Sequence, residues 1–303
     1  MSWHETTDAS CENKSCSGIK TVIRPKAKDI GGFEVRRALP SPEARTVGPF
    51  IFFDQMGPAV FGAGEGIDVR PHPHIGLSTL TWLVEGEIMH RDSLGYVQPI
   101  RPGEINWMTA GNGIVHSERT PDDVRTRGHY LLGLQVWMAL PEDSEEIDPS
   151  FQHYGADSLS TVERDGCKIT VVAGDAWGVK SPVAVYSRTL YADIHLEAGA
   201  ALAIPAQHEE RAIYVIKGAV ELGDERFGEA TMVVLREGED VPVASHDGAH
   251  IALIGGDRLT KPPRLFWNFA STDTAKIDEA KERWKNGGFS PVPGDDEFIP
   301  LPE

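Results

Sequence analysis

The chain alternates between short runs of β-branched, aromatic and aliphatic residues and short polar breaks, from about residue 20 to residue 265. The runs include FEVRRAL, PFIFFDQM, STLTWLV, YLLGLQVWMAL, KITVVAG, AVYSRTLYADIHL, AIYVIKGAVEL and ATMVVL. Gly, Pro, Asn and Asp cluster between them at intervals typical of a sandwich or barrel. No run is followed by a helical pattern long enough for a β–α–β unit, so the pattern predicts an all-β chain.

Two segments have helical features. PEDSEEIDPSFQHY (141–154) begins with proline and acidic residues, as the first turn of a helix often does, and we interpret it as a connecting helix. STDTAKIDEAKERWKNGG (271–288) is the stronger pattern, and we expect it to pack across the outside of a sheet. Its features are a cap at Ser271, Thr272 or Asp273, apolar residues at helical spacing at Ile277, Ala280 and Trp284, and Gly287 as a terminator.

A faint internal repeat indicates two similar β domains. WLVEGEIM (82–89) is similar to YVIKGAVE (214–221), and RPGEINWM (101–108) is similar to REGEDVPV (236–243), with the glycines in matching places. Two copies of one fold, split near residues 141–165, explain the repeat best. The predicted organisation is a flexible N-terminal segment (1–19), a first barrel with the metal site (20–140), a linker (141–165), and a second barrel without metal (166–303). The last part also includes a C-terminal helix and an acidic tail that is solvated or loosely docked.

Two pairs of potential metal ligands have the same spacing. His72 and His74 lie in RPHPHIG, and His116 and Glu118 lie in GNGIVHSERT. Residues i and i+2 of a strand face the same side, so the members of each pair point together. The prolines before both histidines of the first pair keep that segment extended. Glycines before the second pair favour a tight turn that leads into the next strand.

If the two segments pair, three imidazoles and a carboxylate converge inside a β-barrel. That donor set suits Fe(II), Ni(II), Mn(II), Cu(II) or Zn(II). Four protein ligands on a six-coordinate ion leave two positions open for oxygen and a substrate, while a purely structural Zn(II) stays an alternative. HRDS (90–93) nearby is more typical of a β-turn than of a kinase catalytic loop, and His90 or Asp92 is a candidate for orienting a ligand histidine.

Composition and charge narrow the function classes. The 29 Lys and Arg against 46 Asp and Glu give a net charge of −17, which disfavours direct nucleic-acid binding and polyanionic substrates. No run approaches the ~20 apolar residues that span a membrane, and the N-terminus lacks the apolar core of a signal peptide. Three cysteines, Cys11, Cys16 and Cys167, suit a reducing cytoplasm, with the nucleus open for a eukaryotic chain. The role of the first two cysteines stays open.

The segments RPHPHIG, EGEIMHRDSLG, RPGEINWMTAGNGIVHSE and GLQVWMALP resemble the pirin family, a two-barrel branch of the cupin superfamily. The resemblance covers most of residues 20–285 and is closest over 70–120. It implies two cupin-type β-barrel (jelly-roll) domains with a few short helices, one of them C-terminal. It also implies that the metal ligands are His72, His74, His116 and Glu118, and that the ion is iron.

The resemblance implies two alternative functions. Several bacterial and animal members cleave the flavonol quercetin with oxygen, which implies an Fe(II) dioxygenase that acts on a small aromatic substrate, with Glu118 as the catalytic base. Animal members are linked to transcriptional co-regulation, which implies a metal- and redox-dependent binding protein with a protein partner and little turnover. For either function we expect a monomer.

The second barrel is expected to lack a metal. Aligning Gly218 with Gly86 puts Ile204 and Ala206 where the first barrel has its two histidines. Neither side chain can bind a metal ion. We therefore expect metal binding not to require the other histidines of this half, His208, His246 and His250, with a divergent second site built from them as the alternative.

Overall fold

The structure is a computed structural model that describes residues 18–29 and 34–302. The predicted N-terminal segment lies almost wholly outside the described residues, as do Cys11 and Cys16. Strands dominate the described chain and form two barrels, so the prediction of an all-β, two-barrel chain with a few short helices is confirmed. No helix within the described ranges is long and apolar enough to cross a membrane.

The first half of the described chain forms β1 (Ile19–Ile23), β2 (Lys26–Asp29), β3 (Glu34–Leu39), β4 (Phe50–Phe61), β5 (Asp68–His74), β6 (Leu77–Glu85), β7 (Ile88–Asp92), β8 (Val97–Ile100), β9 (Ile105–Thr109), β10 (Ile114–Arg119), α1 (Asp122–Arg127), β11 (His129–Ala139) and β12 (Ser150–Tyr154). The first barrel consists of a seven-stranded sheet, β12-β9-β6-β11-β4-β3-β2, that faces a four-stranded sheet, β5-β10-β7-β8. Apolar side chains from both sheets, including Leu83, Ile88 and Leu131, fill the space between them.

The second half forms β13 (Ser160–Arg164), β14 (Cys167–Ala173), β15 (Asp175–Ala176), β16 (Val179–Lys180), β17 (Thr189–Leu196), β18 (Ala201–Ile204), β19 (Glu210–Leu222), β20 (Glu225–Gly228), β21 (Thr231–Leu235), β22 (Val241–Ala244), β23 (Ala249–Gly256), β24 (Arg264–Phe266), β25 (Phe269–Ser271) and α2 (Thr274–Lys285). The main path of its large sheet is β1-β21-β19-β23-β17-β14-β13, from which β18, β20 and β22 branch. Ile194, Val215 and Ile251 belong to the core inside this barrel.

The two barrels share a further core, which lies between the outer faces of their large sheets. Trp82 and Leu134 from the first barrel pack there with Tyr214 from the second. Hydrogen bonds between buried side chains also cross this interface. Trp82 Nε1 donates to Asp193 Oδ1 at 2.9 Å, and the Tyr214 hydroxyl donates to Gln55 Oε1 at 2.8 Å. The position of one barrel is therefore set by both apolar packing and polar contacts with the other.

The helix predicted over residues 141–154 is wrong beyond its first turn. Glu142–Ser144 forms one 3-10 turn, but β12 pairs antiparallel with β9 and buries Phe151. Pro149 has no amide hydrogen and disfavours the helical conformation in the residue before it, so a helix cannot continue through this point. The second half of the predicted connector is therefore an edge strand of the first barrel.

The predicted C-terminal helix is confirmed as α2, but it packs on the first barrel. Its N-cap is Asp273, whose carboxylate accepts a hydrogen bond from Ala275 N at 2.9 Å. Its buried residues Ile277 and Ala280 join an apolar cluster with Val115 of β10. The helix covers the outside of a sheet, as expected, although the predicted boundaries place it with the second barrel.

At the N-terminal end of the described chain, a strand assigned to the first barrel pairs with the second barrel. Strand β1, which the predicted boundaries place almost wholly in the first barrel, pairs antiparallel with β21 of the second. Ile23 lies opposite Met232, and both are buried. Apolar periodicity shows that such segments need a partner but does not say which barrel supplies it. The domain boundaries themselves remain predictions.

Candidate metal centre

Strands β5 and β10 bring the two predicted ligand pairs to one place. They pair antiparallel, with His116 directly opposite His72 and His74 two residues further along β5. The turn before β10 depends on Gly111, whose φ is +50°. A Cβ there would lie 2.0 Å from the Ile147 carbonyl oxygen, so only glycine fits without rearrangement. The local sequence thus fixes where β10 begins and which residues face β5.

Three of the four predicted ligands form a closed cluster. The ligand atoms of His72, His74 and His116 all lie within 4.8 Å of one another. Nε2 of His74 is 3.1 Å from Nε2 of His116, and the rings of His72 and His116 have centroids 4.4 Å apart. The exposed fraction is 6% for His72 and 1% for the other two. The imidazoles are therefore shielded from solvent and point at one another.

Hydrogen bonds orient two of these rings and assign the tautomer of His72. His72 Nδ1 lies 2.8 Å from the Arg70 carbonyl oxygen, which only accepts, so Nδ1 carries the hydrogen and Nε2 has a free lone pair. His90 Nε2 lies 2.9 Å from a carboxylate oxygen of Asp92, and His90 Nδ1 lies 3.4 Å from His116 Nδ1. Nδ1 of His116 is thus occupied by the contact with His90, and its Nε2 faces His74.

Burial lowers the pKa of all three cluster histidines. For His72 the pKa falls to about 4, with a hydrogen bond to the Arg70 carbonyl opposing the shift. The pKa values of His74 and His116 fall well below the usual range, first through burial and then through repulsion from the neighbouring rings. The imidazoles are therefore neutral near pH 7. A neutral imidazole is the form that binds a metal ion, and three of them have ligand atoms within 4.8 Å of one another, so the cluster fits a metal ion.

Glu118, the fourth predicted ligand, is not part of this cluster of mutually close ligand atoms. A register shift separates it from His116 on β10. Its Oε1 lies 3.3 Å from the Thr81 hydroxyl, which is itself 2.8 Å from Gln135 Oε1. Because Thr81 and Gln135 belong to the opposite sheet, the carboxylate points into the barrel. Burial raises the pKa of Glu118, with His90 and Thr81 opposing the shift.

His90 to Asp92 of the HRDS segment belong to strand β7, and the β-turn predicted over 90–93 lies instead at 92–95, beside His116. Gly95 N donates to the Asp92 carbonyl oxygen at 3.0 Å, which closes this β-turn. The Asp92 carboxylate accepts from the backbone N–H groups of Leu94 and Tyr96 at 2.9 and 3.1 Å, so its position is fixed. It contacts His90, which contacts His116. Both candidates for orienting a ligand histidine therefore lie in one chain of contacts that ends at His116.

The C-terminal tail was expected to be loosely docked, and this expectation is wrong. Arg119 of β10 binds Asp295 through Nε and Nη2 at 3.0 and 2.8 Å, and Nη2 also contacts Glu297 at 2.6 Å. Ile299 N donates to the Pro71 carbonyl oxygen at 2.8 Å, immediately before His72 on β5. An acidic tail is ordinarily solvated, but here a partly buried arginine next to the candidate site binds it.

Sequence reasoning missed two features of this region. Thr79 and Thr81 occupy alternate positions of β6, which is otherwise mostly apolar, and this pattern signals a polar patch on one face of the strand. A second group of mutually close ligand atoms consists of Asp193, His195 and His250, of which the sequence analysis named only His250. No short motif joins those three residues, since two lie on β17 and one on β23.

Two family models match the chain. The model described as Pirin matches residues 32–138, and the model described as Pirin C-terminal cupin domain matches residues 191–290. A pirin-like protein from Caulobacter vibrioides is 47% identical over 289 residues, which cover 94% of this chain and 100% of that protein. Human pirin is 30% identical over 276 residues, which cover 88% of this chain and 91% of that protein.

A solved structure also resembles the whole chain. The crystal structure of a quercetin 2,3-dioxygenase from Acinetobacter baumannii has a TM-score of 0.89 and 36% sequence identity, covering 96% of this chain and 97% of that one. The likeness therefore includes both barrels and their relative placement. With both barrels matched by the family models and a relative at 47% identity along nearly its full length, the chain belongs to the pirin family.

Proposed function

We propose that this chain is a metal-dependent dioxygenase acting on quercetin or a related flavonol or aromatic, with one iron ion held by His72, His74, His116 and Glu118. The observation that carries the proposal is the cluster of three buried, neutral imidazoles whose ligand atoms lie within 4.8 Å of one another. The 36% identity to a structure named as a quercetin 2,3-dioxygenase supports the reaction class.

The donor set suits a borderline transition ion. Three imidazole nitrogens and a nearby carboxylate oxygen are ligands that Fe(II), Ni(II), Mn(II), Cu(II) and Zn(II) all accept. Nε2 of His72 and Nε2 of His116 are the ring nitrogens left to bind an ion, because the corresponding Nδ1 atoms contact Arg70 and His90. Iron is preferred among these ions because the family resemblance implies it and because the proposed reaction needs a redox-active ion.

When bound, the iron would supply Lewis-acid and one-electron chemistry for the reaction between a flavonol and oxygen. The chain itself would supply proton transfer through Glu118. Burial raises the pKa of this carboxyl group, which suits a group that takes up a proton from a substrate hydroxyl. The Thr81 hydroxyl, 3.3 Å from Oε1, helps to hold the carboxylate in place.

Aromatic side chains beside the cluster favour an aromatic substrate. The Trp137 ring makes an edge contact with His74, with centroids 5.1 Å apart, and stacks on Phe52 at 3.9 Å. Both aromatic rings are mostly buried, at 8% exposure. A planar, neutral ligand would gain apolar contact and ring stacking on such a wall, whereas a polyanion would meet a chain with a net charge of −17.

The test is oxygen uptake measured beside quercetin absorbance and carbon monoxide release, using iron-loaded protein. Wild type should consume oxygen and open the flavonol ring. Glu118→Gln should keep most of its iron and lose most of the rate, because an amide cannot accept the proton. Glu163→Gln is the matched control, because it makes the same substitution at an exposed residue of β13. This variant should keep the wild-type rate.

Each failure has its own meaning. Oxygen uptake no higher than that of free iron would reject the enzyme and favour the metal-dependent binding protein. Equal rates in wild type and Glu118→Gln would keep the enzyme but remove Glu118 from proton transfer. Loss of iron from Glu118→Gln in parallel with activity would assign the residue to metal binding alone.

A further inference from the structure

A second group of metal-ligating side chains lies outside both barrel interiors. Asp193 and His195 are two residues apart on β17, so they share a face, and His250 of β23 lies directly opposite His195. Tyr191, which shares this face with them, belongs to the core between the two barrels. The group is therefore at the edge of the inter-barrel interface, far in the fold from the places where the second barrel has Ile204 and Ala206.

The three side chains already converge. His250 Nε2 lies 2.6 Å from Asp193 Oδ1, and His195 Nε2 lies 3.3 Å from Asp193 Oδ2. The two imidazole rings stack, with centroids 3.8 Å apart and planes inclined by 20°. One ligand atom from each residue can be chosen so that all lie within 4.8 Å of one another. Both imidazoles thus have a ring nitrogen next to the same carboxylate.

The first barrel holds the carboxylate in place. Trp82 Nε1 donates to Asp193 Oδ1 at 2.9 Å across the interface. Asp193 and His250 have side chains only 6% and 8% exposed, while His195 is 55% exposed. Burial raises the pKa of Asp193, but hydrogen bonds from His195 and His250 outweigh burial and lower this pKa to about 2. The group therefore combines an ionised, oriented carboxylate with one imidazole that is free to adjust.

The group opens into a cavity of about 450 Å³ between the barrels. Trp82, Leu83, Val84 and Pro102 form its first-barrel wall, and His195 and His250 lie on the other side. The cavity gives an ion a route from solvent and leaves room for water to complete its coordination. Its charge balance is mixed, because Lys168 also lines the cavity and lies opposite His195 on β14.

A further lysine nearby is already neutralised. Lys217 of β19 lies opposite His250, but its Nζ is 2.5 Å from Glu85 Oε1 of the first barrel. Lys168 and the ionised Asp193 then offset each other, and no large positive field opposes a cation.

We propose that Asp193, His195 and His250 form a second metal site, which binds a divalent ion of the Zn(II), Ni(II) or Cu(II) class at the junction of the two barrels. Two imidazole nitrogens and one carboxylate oxygen are a donor set typical of these ions. Trp82 is the residue that orients the carboxylate, as the outer partners of metal ligands commonly do. The proposal departs from the sequence-based expectation that metal binding does not require His250. None of the three ligands takes part in the proposed dioxygenase site, so the two proposals stand or fall separately.

Metal stoichiometry tests the site. Metal-free full-length protein is dialysed against Zn(II), and bound zinc is counted per chain. Wild type should bind two ions, His195→Ala one, His116→Ala one, and the double variant none. His246→Ala is the matched control, because His246 is an exposed histidine of the same barrel whose side chain is 84% exposed; it should bind two.

The size of the effect follows from the ligand count. Losing an outer partner of a metal ligand costs about 10–100-fold in affinity, so His195→Ala, which removes a ligand, should weaken the second site by at least as much. Because His195 is mostly exposed, its loss leaves the core intact. Trp82→Phe should weaken metal binding at this site by about 10–100-fold, because it removes the hydrogen bond that orients the Asp193 carboxylate.

A spectroscopic readout separates the two sites. In the His116→Ala background, Cu(II) bound at Asp193 should quench tryptophan fluorescence, because Trp82 lies in contact with that carboxylate. Copper should no longer quench the fluorescence after His195→Ala. After Trp82→Phe the quenching should be much smaller, because the tryptophan next to the bound ion is gone. One ion per wild-type chain, or full binding retained in His195→Ala, would overturn the proposal and identify the group as a hydrogen-bonded cluster only. An unchanged ion count in His116→Ala would instead reject the first site.

Discussion

Replacing Tyr214 with phenylalanine removes one hydrogen bond between the barrels and leaves the aromatic ring in place. The hydroxyl donates to Gln55 Oε1 at 2.8 Å, and both residues are at most 1% exposed. Gln55 retains its other hydrogen bond, from Nε2 to the Gly57 carbonyl oxygen. The ring contact with Phe53, with centroids 4.7 Å apart, should change little. The substitution is therefore close to the deletion of a single polar atom.

The expected loss of stability follows from Gln55 Oε1, the buried acceptor that the substitution leaves without its donor. A buried hydrogen bond contributes a net ~0.5–1.5 kcal/mol, and a buried acceptor left without a partner costs ~1–3 kcal/mol. Tyr214→Phe should thus lower the free energy of unfolding by about 1–3 kcal/mol. Tyr191 on β17 is the matched control: it is equally buried, and its hydroxyl has no hydrogen-bond partner among the residues that the structure describes. Tyr191→Phe should leave stability unchanged or raise it by up to about 1 kcal/mol.

Urea denaturation followed by tryptophan fluorescence and far-UV circular dichroism measures both variants. A shift of the midpoint at constant slope reports a change in stability rather than in the surface exposed on unfolding. Both probes should show one coincident transition, because the shared core links the barrels. Equal losses in the two variants would refute the reasoning, since the hydroxyl of Tyr191 makes no bond to lose. No loss in Tyr214→Phe would refute it as well.

Three further predictions concern the candidate metal centre and the tail. His116→Ala should remove one metal ion per chain and leave the circular dichroism spectrum unchanged, as metal analysis of the folded variant can check. Asp92→Asn should weaken metal affinity at this centre by about 10–100-fold, measured by chelator competition, because an amide holds His90 less firmly than a carboxylate does. Arg119→Ala should speed carboxypeptidase digestion of the C-terminal tail. Burial raises the pKa of the Asp295 carboxyl group, but the contact with Arg119 outweighs burial and lowers it. In the wild type, protection of the tail should therefore be complete above about pH 4 and be lost as the pH falls through the lowered pKa of Asp295.

The periodicity of the sequence predicts the strands and the grouping of the first three histidines. His72 and His74 share a face because side chains alternate along a strand, and His116 meets them once β5 and β10 pair. The same argument gives only the side on which Glu118 lies. Its distance from the cluster depends on a register shift in the pairing and on contacts with Thr81, neither of which has a local sequence signal.

The group at the barrel junction could not be predicted from local sequence patterns. Asp193 and His250 are separated by 57 residues, and their contact depends on the pairing of β17 with β23. The contact with Trp82 spans 111 residues and depends on how the barrels pack. The tail illustrates the same point, because its acidic composition gives no sign that Arg119 of a distant strand binds it.

The exchange of terminal segments has a consequence for separating the two barrels. Cleavage between residues 141 and 165 would leave the first fragment without α2, so Val115 would lose its cover. The second fragment would lack β1, and the wholly buried strand β21, TMVVL, would become an open edge able to pair with other chains. Neither half is a self-sufficient folding module that could be excised or recombined into another protein. When produced together, however, the two halves carry complementary pieces and should reassemble without a covalent link.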